Sequence, residues 1–197
     1  MKLSDVDIEK CLASGRISIE PPIPVERLGS MSVDLTLGRE FRIFRHVSLP
    51  FIDVGGRDNL YQMSDNAMEC IVQDDDTPFY LHPGELALGV TEEKIFLPDD
   101  IVGWLDGRSS LGRLGLLVHV TAHTIDPGWR GRITLEFVNI GPIPLALRVG
   151  MRICALSFEP LSSPTSRPYY RRDDAKYAGQ DGPLASKIHH DRGQSEG

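Results

Sequence analysis

The chain has 197 residues and a formal net charge of −7, and 41% of its residues are hydrophobic. This length and composition predict one soluble globular domain with a short additional segment, and they exclude two full domains. The acidic balance argues against a general nucleic-acid or membrane surface, because such surfaces need clustered lysines and arginines. The three cysteines are scattered and form no C-x-x-C pair, which favours a reducing cytoplasm and argues against a cysteine-based zinc site.

The first predicted element is a helix over residues 4–14. Ser4 with Asp7 resembles a capping box, and Gly15 suits the position just after the helix. Further along, the apolar period changes from that of a helix to that of a strand. The predicted strands cover residues 33–37, 41–43, 85–91, 101–105, 116–122, 133–139, 145–147 and 152–158. Glycine and proline turns separate these strands, so we predict a mostly β fold, a distorted barrel or jelly roll with this N-terminal helix and a short internal helix.

Two stretches fall outside this pattern. Residues 53–70 are polar and rich in glycine, and we expect them to form an excursion from the barrel. Residues 162–197 have few aliphatic side chains, which is typical of disorder, but their three tyrosines favour a segment that orders over a ligand. Both interpretations stay open for 162–184, and we expect 185–197 to fray. The predicted division is a β domain over 1–161 followed by a C-terminal segment, partly a lid.

Residues 107–113 bring two arginines and two serines together between glycines. Arg108 and Arg113 carry guanidinium groups, which make forked, charge-assisted hydrogen bonds to phosphate oxygens. Ser109 and Ser110 add hydroxyl donors. The segment is not a Walker A loop, because the Gly-Lys-Thr/Ser ending is missing. On composition alone, a phosphate-binding loop and a solvated turn both remain open.

The strand that contains Glu136 alternates cleanly. Ile133, Leu135 and Phe137 share one face, so Thr134 and Glu136 share the other. A glutamate partly removed from water is suited to exchanging protons, whereas on an exposed strand face it has no special role. The pattern alone favours the exposed face.

Two neighbouring features are weaker signals. His119 and His123 lie four residues apart, but two histidines without a third ligand make a poor metal site, so we expect one of them at most to face a ligand pocket. The Asp126-Pro127-Gly128 sequence predicts a turn, because proline fixes φ and glycine suits a strained position. A carboxylate at this turn would suit a sugar hydroxyl.

In combination, these segments resemble the dCTP deaminases, a family with the trimeric dUTPase-like β fold. The main motifs are GRSSLGRLG at 107–115, HVTAHTIDPGW at 119–129 and TLEF at 134–137. Shorter matches are FYLHPGE at 79–85, LSFEPL at 156–161, RPY at 167–169 and AKY at 175–177. The resemblance extends over residues 1–188.

This resemblance implies hydrolysis of a cyclic amidine, the deamination of dCTP to dUTP and ammonia in the synthesis of thymidylate precursors. It also implies a homotrimer with active sites between subunits, magnesium bound to the triphosphate, and dTTP as a feedback inhibitor of some members. By position, the implied catalytic residues are Glu136, Ser109 and Arg113. The implied nucleotide-binding residues are Arg108, Ser109, Ser110, Leu111, Gly112, Arg113, Ala122, Asp126, Thr134, Leu135, Glu136, Tyr169, Lys176 and Gln180.

Most cytosine deaminases activate water with zinc held by H-x-E and P-C-x-x-C motifs, and this sequence has no such set. We therefore expect water activation without zinc. Glu136 would take a proton from water aimed at C4 of cytosine, Ser109 would orient that water, and Arg113 would stabilise the developing charge.

One position departs from the pattern, and two alternatives stay open. Thr124 stands where some members carry arginine, so one cation is missing or supplied elsewhere. A bifunctional enzyme that also cleaves dUTP to dUMP and pyrophosphate usually has a small residue where His123 stands, so the sequence is more similar to the single-function group. A non-catalytic nucleotide-binding homologue is the other alternative.

Overall fold

The computed structural model describes residues 1–44, 52, 54 and 67–188. Helix α1, Asp5–Ala13, confirms the first predicted element and buries Ile8 and Cys11. The Ser4 hydroxyl donates to the Asp7 carboxylate at 3.3 Å and does not cap a backbone amide. Gly15 follows the helix with φ of +71°, as a glycine at this position should.

The described residues form twelve strands and a second short helix. The strands are β1 Ser18–Glu20, β2 Ser32–Thr36, β3 Glu40–Phe44, β4 Met68–Val72, β5 Phe79–Leu81, β6 Leu86–Phe96, β7 Ile101–Gly107, β8 Leu116–Leu117, β9 Thr124–Ile125, β10 Arg130–Asn139, β11 Leu145–Leu147 and β12 Arg152–Pro160. Helix α2 is Ser109–Gly112 and lies between β7 and β8. Single 3₁₀ turns occur at Val25–Arg27 and Tyr169–Arg171.

These strands form three antiparallel sheets. The largest has the order β4-β3-β6-β10-β8, with β1 also paired to β6; the second has the order β2-β12-β7-β9, and the third pairs β11 with β5. The prediction of a mostly β fold with an N-terminal and a short internal helix is confirmed. Within the described residues no sheet closes on itself, so the architecture is one of packed sheets and not a closed barrel.

The core lies between the sheets and explains the alternation along β10. The side chains of Ile133, Leu135 and Phe137 are buried, while Thr134 and Glu136 are only partly so. The Phe137 ring lies so close to Gly89 of β6 that a Cβ there would be 2.4 Å away. Burial of apolar side chains of this size contributes about 1.5–3 kcal/mol each, which fixes the register of the strand and the face that Glu136 occupies.

The β8 prediction is wrong over most of its length. Only residues 116–117 pair as a strand, because the next residues bond differently to β10: the Val118 carbonyl accepts from the Glu136 amide, and the Val120 amide donates to the Glu136 side chain. The predicted excursion over 53–70 lies largely outside the described residues, and its last residues begin β4. Among the helices that the structure describes, none is long and apolar enough to cross a membrane.

Candidate functional site

A cavity of about 410 Å³ lies beside β10, on the side that carries Glu136. Its polar wall contains Thr134, Glu136, Thr124, Asp126 and Gln180. Its remaining lining is apolar or aromatic: Phe44, Met68, Leu86, Leu88, Leu105, Ala122, Ile125, Trp129, Ile133, Tyr169, Tyr177 and Leu184, with Ser186 at the C-terminal end. The β6–β10 ladder, the segment around Asp126 and the C-terminal segment therefore meet at one concave site, with single side chains added from β3, β4 and β7.

Glu136 is fixed within this site from both its backbone and its side chain. Its Oε2 accepts a hydrogen bond of 3.0 Å from the Val120 amide, and its own amide donates to the Val118 carbonyl at 3.1 Å. Across the ladder, its Cα partner on β6 is Leu88. Glu136 is half-buried, its Oε2 is held by the Val120 amide, and its Oε1 accepts no hydrogen bond from the described residues.

The Gln180 side chain packs into an irregularity of β10 and forms hydrogen bonds with it. The register shifts between Arg132 and Thr134, and the Gln180 Nε2 donates to the Arg132 carbonyl at 2.9 Å and to the Thr134 Oγ1 at 3.0 Å. Because a carbonyl only accepts, the amide nitrogen must face Arg132. Gln180 is 6% exposed, and its Oε1 is buried without a partner among the described residues. Gly131, with φ of +137°, makes this approach possible, since a Cβ there would lie 2.5 Å from the Gln180 carbonyl oxygen.

The Asp126 turn forms as predicted, and its glycine contacts the C-terminal segment. The Trp129 amide donates to the Asp126 carbonyl at 3.0 Å, and Gly128 has φ of +80°. A Cβ on Gly128 would lie 2.7 Å from Pro168, and the Tyr169 amide donates to the Pro127 carbonyl at 2.8 Å. The turn and the segment therefore pack backbone against backbone.

Arg172 ties the segment to the Asp126 carboxylate. Its Nη1 lies 3.2 Å from Asp126 Oδ2, and its Nε and Nη2 each donate to Asp174 at 2.9 Å. The hydrogen bond from Arg172 holds the pKa of the Asp174 carboxyl below its ordinary value, and the same bond raises the pKa of Arg172. The guanidinium also lies 5.7 Å from the Tyr169 ring centroid, within the range of a cation–π contact.

Two tyrosines complete the packing of this segment. Tyr169 lies 5.2 Å from Trp129, ring centroid to ring centroid, and its hydroxyl accepts from the Tyr177 amide at 3.2 Å. Burial raises the pKa of Tyr169. The Tyr177 hydroxyl accepts from the Lys187 amide at 3.1 Å, and the Lys187 Nζ donates to the Lys176 carbonyl at 2.7 Å.

The C-terminal segment packs against the rest of the chain at Pro168, Gln180, Pro183 and Ala185, which are buried, whereas residues 162–164 and 171–174 are exposed. Ala185 is 6% exposed, although residues 185–197 were expected to fray. Residues 189–197 lie outside the described residues. Five side chains of this segment line the cavity: Tyr169, Tyr177, Gln180, Leu184 and Ser186. That the segment orders over a ligand stays a prediction. The division into a β domain and this segment stays a prediction.

The arginine–serine loop lies apart from this cavity. Ser109, Ser110, Gly112 and Arg113 are exposed, and none of the residues from 108 to 113 lines the cavity within one chain. The Arg113 Nη1 donates back to the Ser109 carbonyl at 3.1 Å, and Leu111 packs against the core. Leu135 is fully buried on the other face of β10, so its side chain does not reach the cavity either.

The structure thus brings together six of the predicted nucleotide-binding residues and separates others from them. Those at the cavity are Ala122, Asp126, Thr134, Glu136, Tyr169 and Gln180. Those away from it are the whole of 108–113, the Leu135 side chain and Lys176. The binding roles themselves stay a prediction.

Sequence reasoning missed several residues that matter to the geometry. Trp129 and Tyr177 line the cavity, and Arg172 holds Asp126. Trp129 and Tyr177 lie within the HVTAHTIDPGW and AKY motifs. Their aromatic side chains, close to the predicted contacts Asp126 and Lys176, could have indicated them as cavity residues. For Arg172 the sequence has no such signal, since its partner lies 46 residues away.

The two histidines lie near each other but have no group of metal ligands around them. Their ring centroids are 5.7 Å apart, and His123 lies 5.4 Å from Trp104. The Nδ1 of His119 is buried and has no partner within the described parts of the chain. Across residues 1–44 and 67–188, no group of three His, Cys, Asp or Glu side chains could hold a metal ion.

A comparison with known protein families identifies the chain. The model of the dCTP deaminase-like family matches residues 2–161. The chain belongs to the dCTP deaminase-like family. Membership confirms the resemblance seen in the motifs around Arg108, His119 and Thr134.

Solved structures show how this dCTP deaminase-like chain compares in fold. The 2′-deoxycytidine 5′-triphosphate deaminase of Agrobacterium tumefaciens is 23% identical, with a TM-score of 0.61 over 80% of this chain and 46% of that chain. The chain thus spans about half the length of that enzyme. The EIAV dUTPase is 27% identical over 47% of this chain and 75% of that chain, with a TM-score of 0.40. A mutant dUTPase from phage phi11 of S. aureus, solved to show the coordination of a structural Mg(II) ion, is 18% identical over 45% of this chain and 74% of that chain, with a TM-score of 0.40.

Proposed function

We propose that this protein catalyses the hydrolytic deamination of dCTP to dUTP and ammonia without zinc. The observation that carries the proposal is the half-buried Glu136 carboxylate, anchored by the Val120 amide beside a cavity of about 410 Å³. A cavity of this volume suits a small-molecule ligand. Membership of the dCTP deaminase-like family supports a nucleotide as that ligand.

Glu136 would act as both general base and general acid. Its free oxygen takes a proton from a water molecule as the water oxygen bonds to C4 of cytosine, and the proton is passed to N3. A second proton, from the new C4 hydroxyl, then passes through Glu136 to the exocyclic nitrogen. The C4–N bond breaks, ammonia leaves, and C4 becomes the carbonyl of uracil, so all atoms and protons balance.

The cavity residues would bind the nucleoside. Gln180 and Thr134 present an amide and a hydroxyl on the Glu136 side of β10, which suits the polar edge of a pyrimidine. The Asp126 carboxylate would accept from a sugar hydroxyl, with Arg172 holding it in place. Tyr169 and Ala122 contribute cavity wall, while Lys176 and the Leu135 backbone would add contacts from outside the wall.

The triphosphate would be held by the arginine–serine loop of a neighbouring copy in a homotrimer. The exposure of Ser109, Ser110 and Arg113, and their absence from the cavity lining of their own chain, support this arrangement. Arg108 would contribute a further cation. Ser109 would orient the attacking water, and Arg113 would stabilise the charge that develops in the transition state. The substrate in this scheme is dCTP with magnesium on its phosphates.

Zinc independence rests on the ligand chemistry of the sequence. The H-x-E and P-C-x-x-C motifs of zinc deaminases are absent from it, and the three cysteines are far apart along the chain. Activity should therefore persist when the protein is stripped with a zinc-selective chelator and magnesium is supplied. Activity that returns only on adding zinc would contradict this part of the proposal.

The deciding experiment is to incubate the protein with dCTP and magnesium and to measure ammonia, dUTP, dUMP and pyrophosphate together. Equal amounts of ammonia and dUTP support the proposal. Release of ammonia together with dUMP and pyrophosphate would contradict the proposal and indicate the bifunctional enzyme. Binding of dCTP without release of ammonia would indicate a non-catalytic homologue. Adding dTTP to the same assay tests feedback inhibition.

A further inference from the structure

Three charged side chains from adjacent strands meet next to helix α2. Asp34 lies on β2, Arg152 begins β12, and Arg108 directly follows β7; β12 lies between the other two strands. The Asp34 Oδ2 lies 3.3 Å from the Arg108 Nη2 and 3.5 Å from the Arg152 Nη1. The Arg108 Nη1 also donates to the Arg152 carbonyl at 3.4 Å. The register of the sheet therefore places two guanidinium groups on one carboxylate.

This cluster carries an excess of positive charge. One carboxylate neutralises only one of the two guanidinium groups. Asp106 shares this face of the sheet across Ala155, but in the described parts of the chain it forms no ion pair with either arginine. In a chain of net charge −7, a local positive excess identifies a place where an anion is favoured.

The two arginines also keep donors available. A guanidinium has five N–H donors, and the contacts above use two from Arg108 and one from Arg152. The side chains are 32% and 42% exposed, so the unused donors can reach a ligand from solvent. Two forked donors side by side match the oxygens of a phosphate group.

We propose that Arg152 is a further phosphate-binding residue, which acts with Arg108 on the triphosphate of the nucleotide. Asp34 is a positioning residue that holds both guanidinium groups in one orientation. This inference rests on the proposed function, since it takes Arg108 to belong to the triphosphate site. Arg152 extends that site from the loop onto the start of β12.

A matched pair of variants tests the inference. R152Q removes one charge from the cluster, whereas R148Q removes one from an exposed arginine just after β11 that donates to the Asp76 carbonyl and lies outside the cluster. We expect R152Q to raise the KM for dCTP about tenfold with kcat nearly unchanged. The reason is that a charge-assisted hydrogen bond to the phosphate is lost equally from the bound substrate and from the transition state. R148Q should change KM less than about twofold.

Two further measurements separate a binding role from a structural one. R152K keeps the positive charge but loses the paired N–H donors of the guanidinium, so its KM should lie between those of the wild type and R152Q. Because exposed ion pairs contribute little to stability, the Tm of R152Q should match that of R148Q. Equal KM values for R152Q and R148Q, or a KM that rises only in step with a lower Tm, would overturn the inference.

Calorimetric titration with inorganic tripolyphosphate tests the site without any deamination. The wild type should bind tripolyphosphate more tightly than R152Q, and added salt should reduce the difference. Equal binding by the two proteins would count against Arg152 whatever the substrate is. Absence of ammonia release from dCTP by the wild type would instead refute the proposed function, so the two failures are distinguishable.

Discussion

The cavity around Glu136 and the arginine–serine loop differ in how much of their structure the single chain supplies. Glu136, Thr134 and Gln180 are held by hydrogen bonds from three separate parts of the chain. Ser109 and Arg113 are exposed, and both the side chain and the amide of Arg113 donate to the Ser109 carbonyl. The comparison teaches that a single chain supplies hydrogen-bonded surroundings for Glu136, whereas Ser109, Ser110 and Arg113 of the loop face outward.

The largest expected effect is that of E136Q. Loss of the general base should lower kcat by about 10²- to 10⁴-fold, because glutamine cannot accept the water proton. Binding of dCTP should change little, since the amide oxygen of glutamine can still accept from Val120. Ammonia release and dCTP binding are the two measurements. The control is E69Q, which changes an exposed glutamate on β4, and wild-type turnover by E136Q would contradict the role of this side chain.

A subunit-mixing experiment tests whether the loop acts on a different copy. E136Q and R113Q should each be nearly inactive alone. In trimers reassembled from an equal mixture, about one site in four would combine an intact Glu136 with an intact Arg113 from the neighbour. Activity near a quarter of the wild type is therefore expected. If the mixture is as inactive as each variant alone, Glu136 and Arg113 of one active site come from the same chain. The loop would then not act on a neighbouring copy.

The packing of the C-terminal segment can be tested with a pair of glycines. Gly128 and Gly150 have nearly equal φ values of +80° and +77°, but only at Gly128 would a Cβ meet the segment, 2.7 Å from Pro168; at Gly150 nothing lies within 4 Å. Both G128A and G150A should lower the free energy of unfolding by about 1 kcal/mol through backbone strain. G128A should also speed amide exchange in residues 168–188 and raise the KM for dCTP. Equal exchange in both variants would show that the segment does not depend on this turn.

The smallest expected effect is a pH dependence of the same segment. The hydrogen bond from Arg172 lowers the pKa of Asp174 below its ordinary value of 3.8. A carboxyl with a depressed folded-state pKa stabilises the fold above its ordinary value, and this contribution is lost as the pH falls through the folded-state value. Because Asp174 is exposed, the change should be slight. As the pH is lowered from 6 to 3, the rate of proteolysis within the C-terminal segment should increase less in D174N than in the wild type.

Local signals predicted a good part of this molecule. Helix α1, the alternation around Glu136 and the Asp126 turn follow from spacing and from glycine and proline chemistry. The short strands β1, β4, β5 and β9 were not predicted: β4 begins within the polar stretch 53–70, and β9 has only two residues, too few to show a period. β8 was predicted too long because apolar residues after Leu117 continue the pattern, although the Val120 amide bonds to the Glu136 side chain and not to a backbone carbonyl of β10.

The sequence indicated several residues of the candidate site, but not the long-range contacts that bring them together. The TLEF motif contains Thr134 and Glu136, and the family resemblance implied Gln180, but the sequence has no signal that Gln180 fits an irregularity of β10 some 48 residues earlier. The pairing of Arg172 with Asp126 and of Arg152 with Asp34 depends in the same way on long-range packing. Such contacts arise from the register of strands and the path of the C-terminal segment, which no local pattern encodes.

The junction between Gln180 and β10 has a consequence for how the protein is made. A ribosome synthesises Arg132 and Thr134 well before Gln180, so β10 can pair with β6 before the residues that cover the groove beside Glu136 have been made. Only the later residues cap that groove. A chain interrupted before Pro168 would lack both Tyr169 and Gln180, and it would leave Trp129 and the irregularity of β10 without the contacts that cover them.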